Sequence, residues 1–443
     1  MRTALLLLPV FAGTLAAQIV NVSGPLDLSL RRAIEIATSP EGSANVQLSA
    51  EALRQAQTHS DQARGALLPD LESSLNYRNQ TINLAAEGVT EAIRVPIPGF
   101  SIPNEVGPFN TMDARLTGSQ NVFDFSSIRR FQAAKVGVAA ARSDVANTSE
   151  NVSAQVARAY LAAQKAQADV ESAEANVTLS AALVTLAEHQ KEAGTGTGIE
   201  ITRARVQLAN DRQHLLDAQN LRRAAHLRLL RAMNMRMDVE LRLTDRLEYV
   251  PVDAVTLEQA RAEALRQRAD LEAQQQRESQ ARLSADATKM ERLPSLQAFA
   301  DYGSIGTGLG SALPTRTYGI ALRVPIFDGG RRDARRAEAA SQYRQERVRT
   351  GDLKEQIELD LRLALDELHS ADDQVKVARE GLALSQNELE QAERRYKAGV
   401  ANSVEVTDAQ TRLERARDNH TAALYLYNLA KVDLAQATGA EIR

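Results

Sequence analysis

The chain contains no cysteine and no tryptophan. The first absence excludes disulfides, thiolate metal sites, cysteine nucleophiles and a lipidated N-terminal cysteine. Phenylalanine and tyrosine make up only 4% of 443 residues, too few for a large compact core built on rings. Neither sign of charge dominates, with 53 Lys and Arg against 57 Asp and Glu, a net −4. Lacking a basic excess to neutralise phosphates, the chain is not expected to bind nucleic acid. Past the N-terminal stretch no segment approaches eighteen consecutive apolar residues, so no transmembrane helix is expected in the mature chain. What is present is an Ala/Gln/Arg/Glu-rich composition, with 23 glycines and 12 prolines gathered in a few places. That describes long helices rather than a globular enzyme.

Residues 1–17 carry Arg2, an apolar run from Ala4 to Ala12 and small residues ending Leu15-Ala16-Ala17. They read as a signal peptide cleaved before Gln18, the run being short for an uncleaved anchor. An exported chain of this kind is either soluble outside the cytoplasm or sits in a membrane as a β-barrel.

The rest of the sequence is an internal duplication, 18–238 and 239–443. Lys191-Glu192-Ala193-Gly194 is matched by Tyr396-Lys397-Ala398-Gly399, and Ile199-Glu200-Ile201-Thr202 by Val404-Glu405-Val406-Thr407, at one offset of 205. Leu67-Leu68-Pro69 answers Arg292-Leu293-Pro294, and Val122-Phe123-Asp124 answers Ile326-Phe327-Asp328. In the second copy Leu361, Leu368, Val375, Leu382, Leu389 and Tyr396 fall at steps of seven, with Ile357, Ala364, Ala371, Ala378, Ser385 and Ala392 between them. Val156, Ala163, Val170, Val177 and Val184 repeat the pattern in the first copy. A seven-residue repeat predicts left-handed supercoiling, and the small-residue seam lets helices approach closely.

Punctuation by proline and glycine sets the lengths. Long helices are expected over 127–192 and 331–397, each about 100 Å. The hairpin turns fall at 193–198 and 398–403. Shorter helices are expected at Val46–Leu68, Ile199–Met233, Leu257–Arg292 and Val404–Thr438, stacked end to end in pairs beside each long one. Between short and long helices the period changes to two. Tyr318, Ile320, Leu322 and Val324 alternate with smaller or polar residues, as do Leu71, Leu75 and Tyr77. Leu296–Tyr302 alternates less cleanly, and Ala114–Phe123 is weaker still. These predict two strand hairpins, the second over 295–327. The interval from Pro69 to Phe123 is 21 residues longer than that from Pro294 to Phe327, which predicts a long extracellular loop over 82–112.

Strands of about ten residues suit a tilted bilayer crossing. Four strands, however, leave two open edges, which hydrocarbon does not tolerate. Two chains would make an eight-stranded barrel filled by its own side chains. Three would make a twelve-stranded barrel about 24 Å across, with an open pore. A homotrimer is favoured.

By these residues the chain resembles the TolC-type outer-membrane efflux proteins, the outer-membrane factor family. The strand-to-helix junction Val324-Pro325-Ile326-Phe327-Asp328-Gly329-Gly330-Arg331 and the turn Tyr396-Lys397-Ala398-Gly399 with Val404-Glu405-Val406-Thr407-Asp408-Ala409 carry the resemblance. It implies a mainly α fold with a small β part: a trimeric twelve-stranded barrel in the outer membrane, continued by a coiled-coil tunnel in the periplasm. It implies a non-enzymatic, cofactor-free exit duct of a tripartite efflux pump or type I secretion system. The partners would be a periplasmic adaptor docking near Gly194 and Gly399, and an inner-membrane transporter that supplies the energy. Carried over by position, the entrance residues are Glu405, Asp408, Glu200 and Tyr396. One departure is Ala401, where the best-known member has arginine. Symmetry would stack Glu405 and Asp408 as two carboxylate rings that attract cations; the plainer reading is a pair of helix-start acids favoured by the dipole. A periplasmic coiled-coil adaptor or scaffold without a barrel is the alternative function, though no lipoyl-like β-domain interrupts the helices.

Other signals are weak. Gly194-Thr195-Gly196-Thr197-Gly198 has the glycines of a phosphate loop but neither the following Lys-Ser/Thr nor a preceding buried strand. The six histidines show no ligand spacing. Met233, Met235 and Met237 alternate as soft-metal ligands do, but a helix end accounts for them more simply.

Overall fold

A computed structural model of the chain describes residues 25–88, 103–252 and 255–442; the expected signal peptide lies outside them. Long elements dominate. In chain order they are β1 (Leu26–Leu28), α1 (Leu30–Thr38), α2 (Ala44–Gly65), β2 (Asp70–Asn83), β3 (Glu105–Phe123), α3 (Phe125–Glu192) and α4 (Gly198–Ala232). The second half repeats them as β4 (Leu241–Leu243), α5 (Leu257–Gln267), α6 (Ala269–Met290), β5 (Ser295–Gly306), β6 (Leu313–Arg323), α7 (Arg331–Lys397) and α8 (Ser403–Thr438).

Helices α3 and α7 have 68 and 67 residues, about 100 Å each. Their apolar seams are buried at the heptad positions: Val152, Val156, Ala163, Ala166, Val170 and Ala173 on α3, and Ile357, Leu361, Ala364, Ala371, Val375, Leu389 and Ala392 on α7. Alanine and serine along these seams leave little side-chain bulk, so the neighbouring helices pack close. Helices α2 and α4 both lie along α3, α6 packs between α3 and α7, and α8 lies against both long helices.

The short helices meet head to tail. Helix α4 ends at Asn234, in the left-handed conformation, whose Nδ2 donates to the Gly42 carbonyl at 3.0 Å just ahead of α2. Helix α8 ends beside α6, where Arg268 Nη1 donates to the Ala437 carbonyl at 3.3 Å. Each stack sets a carbonyl-rich C-terminus against an amide-rich N-terminus, an arrangement that helix dipoles favour. At mid-length β1 pairs in parallel with β4, and the buried Tyr160 hydroxyl donates to the Leu28 carbonyl at 2.9 Å.

The four long strands form one antiparallel sheet in the order β2-β3-β5-β6. Two details differ from the sequence reading. Residues 105–112, expected within the loop 82–112, are strand: Gln80 pairs with Phe109 and Ile82 with Val106 across a bulge. The helix expected over Leu257–Arg292 is broken at Arg268, whose backbone is extended. Bonds from Arg268 to Asp270, Asp360 and the Ala437 carbonyl hold that break.

Candidate functional site

Two places along the rod carry functional geometry, the sheet at one end and the hairpin turns at the other. Strand register divides the sheet into two chemically distinct faces. One carries Leu71, Leu75 and Tyr77 from β2, Met112, Ala114 and Leu116 from β3, Ala298, Ala300 and Tyr302 from β5, and Tyr318, Ile320 and Leu322 from β6. Most of these side chains stand exposed, Tyr318 at 80% and Ile320 at 70%. The opposite face carries Glu72, Asn76, Asp113, Arg115, Thr117, Asn121, Asp301 and Thr317. A sheet with one mainly apolar and one mainly polar face, Phe299 being an exception on the polar side, has the pattern of a wall between lipid and water. Among the described residues no helix is long and apolar enough to cross a membrane. Among the described residues, the outer edges of β2 and β6 have no strand partner in the sheet.

Strand passes to helix through an aspartate in both copies. Asp124 accepts from Ser126 N at 3.0 Å, capping α3. Asp328 accepts from Arg332 N at 3.1 Å, after a turn in which Gly329 and Gly330 take positive φ. Pro325 precedes Ile326 and Phe327, which stand almost fully exposed. This junction therefore sits at the lower rim of the apolar band with its own apolar side chains outward.

The turns at the far end are built alike. Gly194 N donates to the Lys191 carbonyl and Thr195 N to the Gln190 carbonyl; Gly399 N donates to the Tyr396 carbonyl and Val400 N to the Arg395 carbonyl. Both glycines adopt positive φ, so each turn is a Schellman cap that closes its long helix. The tips lie together: Leu389, Ala392 and Tyr396 of α7 pack with Val406, Ala409 and Leu413 of α8 and with Leu179, Leu183 and Leu186 of α3.

The four predicted entrance residues take different roles here. Tyr396 is buried, 4% exposed, and its hydroxyl has no hydrogen-bond partner. Burial, and secondarily the Glu200 charge, raises its pKa. Glu200 accepts from Thr197 N at 2.8 Å and Thr197 Oγ1 at 3.1 Å, a capping box that starts α4. Tyr396 and Glu200 line a cavity of about 20 Å³ shared with Ser180, Gln207 and Ser403. Glu405 is ion-paired across the turn with Arg395, Nε to Oε1 2.9 Å. Asp408 is exposed one helical turn further along. Of the two acids past the second turn, Glu405 is thus partly neutralised by Arg395, whereas Asp408 has no ion pair among the described residues. Arg395 was missed in the sequence, although a basic residue before the turn and an acid after it were the available signal.

The three methionines take different surroundings. Met233 is buried and Met235 packed in the core cluster beneath α1, while Met237 stands half exposed. Among the described residues no group of three His, Asp or Glu converges to hold an ion.

Known proteins agree with this architecture. The family described as outer membrane efflux protein matches residues 39–235 and 260–440. The pyoverdine export outer membrane protein OpmQ of Pseudomonas putida is 24% identical over 425 residues, 93% of this chain and 85% of that protein. The CmeC outer membrane channel of Campylobacter jejuni superposes with a TM-score of 0.79 at 17% identity, covering 93% of this chain and 85% of that one. The MtrE outer membrane channel of Neisseria gonorrhoeae gives 0.75 at 17% identity, over 93% and 89%. Matched through both of its halves, the chain belongs to the outer membrane efflux protein family, a family of transport channels, and is an outer-membrane exit channel of efflux pumps with a periplasmic helical extension.

Proposed function

We propose that three chains share one wall, their four-stranded sheets closing into a twelve-stranded barrel and their helices into a tunnel gated at the periplasmic tip. The observation that carries this is the sheet itself: one face is apolar and exposed, and both edges lack a partner. In hydrocarbon every such edge must pair, and sibling chains supply the missing strands. The repeats 18–238 and 239–443 then contribute equivalent halves of each third of the tunnel. A scaffold without a barrel has no use for such a sheet.

At the tip, Tyr396 and Glu200 belong to the packed, closed arrangement, and Glu405 and Asp408 set the charge of the opening. A periplasmic adaptor engages the turns at Gly194 and Gly399, where the neighbouring Val400 and Ile199 are exposed. An inner-membrane transporter drives the cargo. Asp408→Ala is expected to weaken block by divalent cations in single-channel recordings more than Glu405→Ala does, because Arg395 already offsets Glu405. Equal block in both variants and in the parent channel removes the entrance from this account.

A further inference from the structure

Sheet register sets four side-chain positions in one row on the polar face: Ser74 of β2, Arg115 of β3, Gly303 of β5 and Thr315 of β6. Arg115 lies across this row. It donates through Nη2 to Thr315 Oγ1 at 3.2 Å, two strands away, and forms ion pairs with Asp301 and, at 3.4 Å, with Asp113. To reach Thr315 the guanidinium must pass over β5, and it does so at a residue with no side chain. A Cβ on Gly303 would stand 2.6 Å from the Ala114 carbonyl oxygen and 3.0 Å from Arg115 Cα. The glycine is therefore the gap that lets the arginine lie flat on the wall.

The charge at this height is unbalanced. One guanidinium serves two carboxylates, and Asp113 Oδ1 is met by Arg115 only through the long 3.4 Å ion pair, with no hydrogen bond to it. All three charged groups are largely shielded, at 23%, 24% and 17% side-chain exposure for Arg115, Asp113 and Asp301.

We propose that this cluster is a charge-selecting station inside the barrel, separate from the tip, which favours cationic over anionic solutes. The inference rests on the three-chain duct reading: Glu72 and Arg78 of β2 flank the cluster on the same face with opposite signs, so each chain contributes one excess carboxylate and three chains surround the lumen with a belt of net −3. Arg115 moderates the belt, and Gly303 keeps its side chain out of the passage.

The absence of cysteine allows a direct test. Thr317 pairs with Asp301 and is exposed on the polar face, whereas Ile320 is exposed on the apolar face. Thr317→Cys and Ile320→Cys are introduced singly into the full-length protein in outer membranes. Each is labelled with a trimethylammonium-bearing and a sulfonate-bearing thiosulfonate, with rates normalised to a free thiol. At Thr317→Cys the cationic reagent is expected to react about fourfold faster than the anionic one, the ratio for three net charges some 10 Å away in screened water. Adding Arg115→Ala raises the ratio, and adding Asp113→Asn with Asp301→Asn brings it to one or below. A ratio that ignores all three substitutions while Thr317→Cys labels readily overturns the station but leaves the duct standing. Labelling of Ile320→Cys by both reagents, with Thr317→Cys silent, overturns the duct reading itself.

Discussion

Arg395 and Glu405 face each other across the second hairpin turn, Nε and Oε1 2.9 Å apart, joining the end of α7 to the start of α8. The pair bridges a turn of only a few residues. It ties together the two helices that flank the proposed entrance.

An exposed pair of this kind contributes roughly 0.2–1 kcal/mol. Arg395→Ala is therefore expected to raise the open fraction of single channels by up to about fivefold. The effect should shrink at high salt, as screening of a solvent-facing pair requires. An open fraction that does not move in Arg395→Ala removes the latch.

Tyr396 offers a contrast between ring and hydroxyl. Its ring is packed among Leu389, Val406 and Leu413, whereas its buried hydroxyl is unpaired. Deleting an unsatisfied polar atom is neutral or stabilising, while deleting a packed ring costs about 3–5 kcal/mol. Tyr396→Phe should thus hold or raise the melting temperature of the detergent-solubilised protein, and Tyr396→Ala should lower it by several degrees. A loss in Tyr396→Phe as large as in Tyr396→Ala would show that the hydroxyl holds the tip closed.

Glu150 on α3 gives the mid-length region a pH dependence. Burial, and then the Asp270 charge, pushes its pKa up to about 6, with Arg268 opposing. An acid whose pKa is higher in the fold binds its proton more tightly there than in the unfolded chain. Its protonation therefore supports the fold at low pH, and that support is lost as pH climbs from about 4.5 to about 6. Glu150→Gln is expected to stabilise the protein by about 1 kcal/mol at pH 7.5 and to change nothing at pH 4.5. Melting curves at the two pH values check this. A gain of the same size at both contradicts the assigned cause.

Much of this architecture is written locally. Heptads from Val156 to Val184 and from Leu361 to Tyr396 announce the long helices because close helix packing demands that repeat. The turn glycines announce the tips because each Schellman cap needs positive φ at Gly194 and Gly399. What the sequence hid depends on partners far away along the chain. The break at Arg268 carries no proline or glycine, and it exists because Asp360 and the Ala437 carbonyl receive the guanidinium. Residues 105–112 include Gly107 and Pro108 and read as loop, yet pairing with Tyr77–Asn83 makes them strand. Phe299 spoiled the alternation of β5 because it faces the polar side; there it lies over Gly319, where a Cβ would stand 2.8 Å from its Cζ. At the second tip, the places of Glu405 and Asp408 just past the turn were legible, but the Arg395 counter-charge beside Glu405 was not.

Everything above depends on sibling chains covering the bare edges of β2 and β6. Native mass spectrometry of the mature protein, released from outer membranes in mild detergent, counts those siblings directly. Three chains per particle, dissociating only on heating, is the predicted result. A single chain that stays folded and in solution once detergent is removed contradicts it.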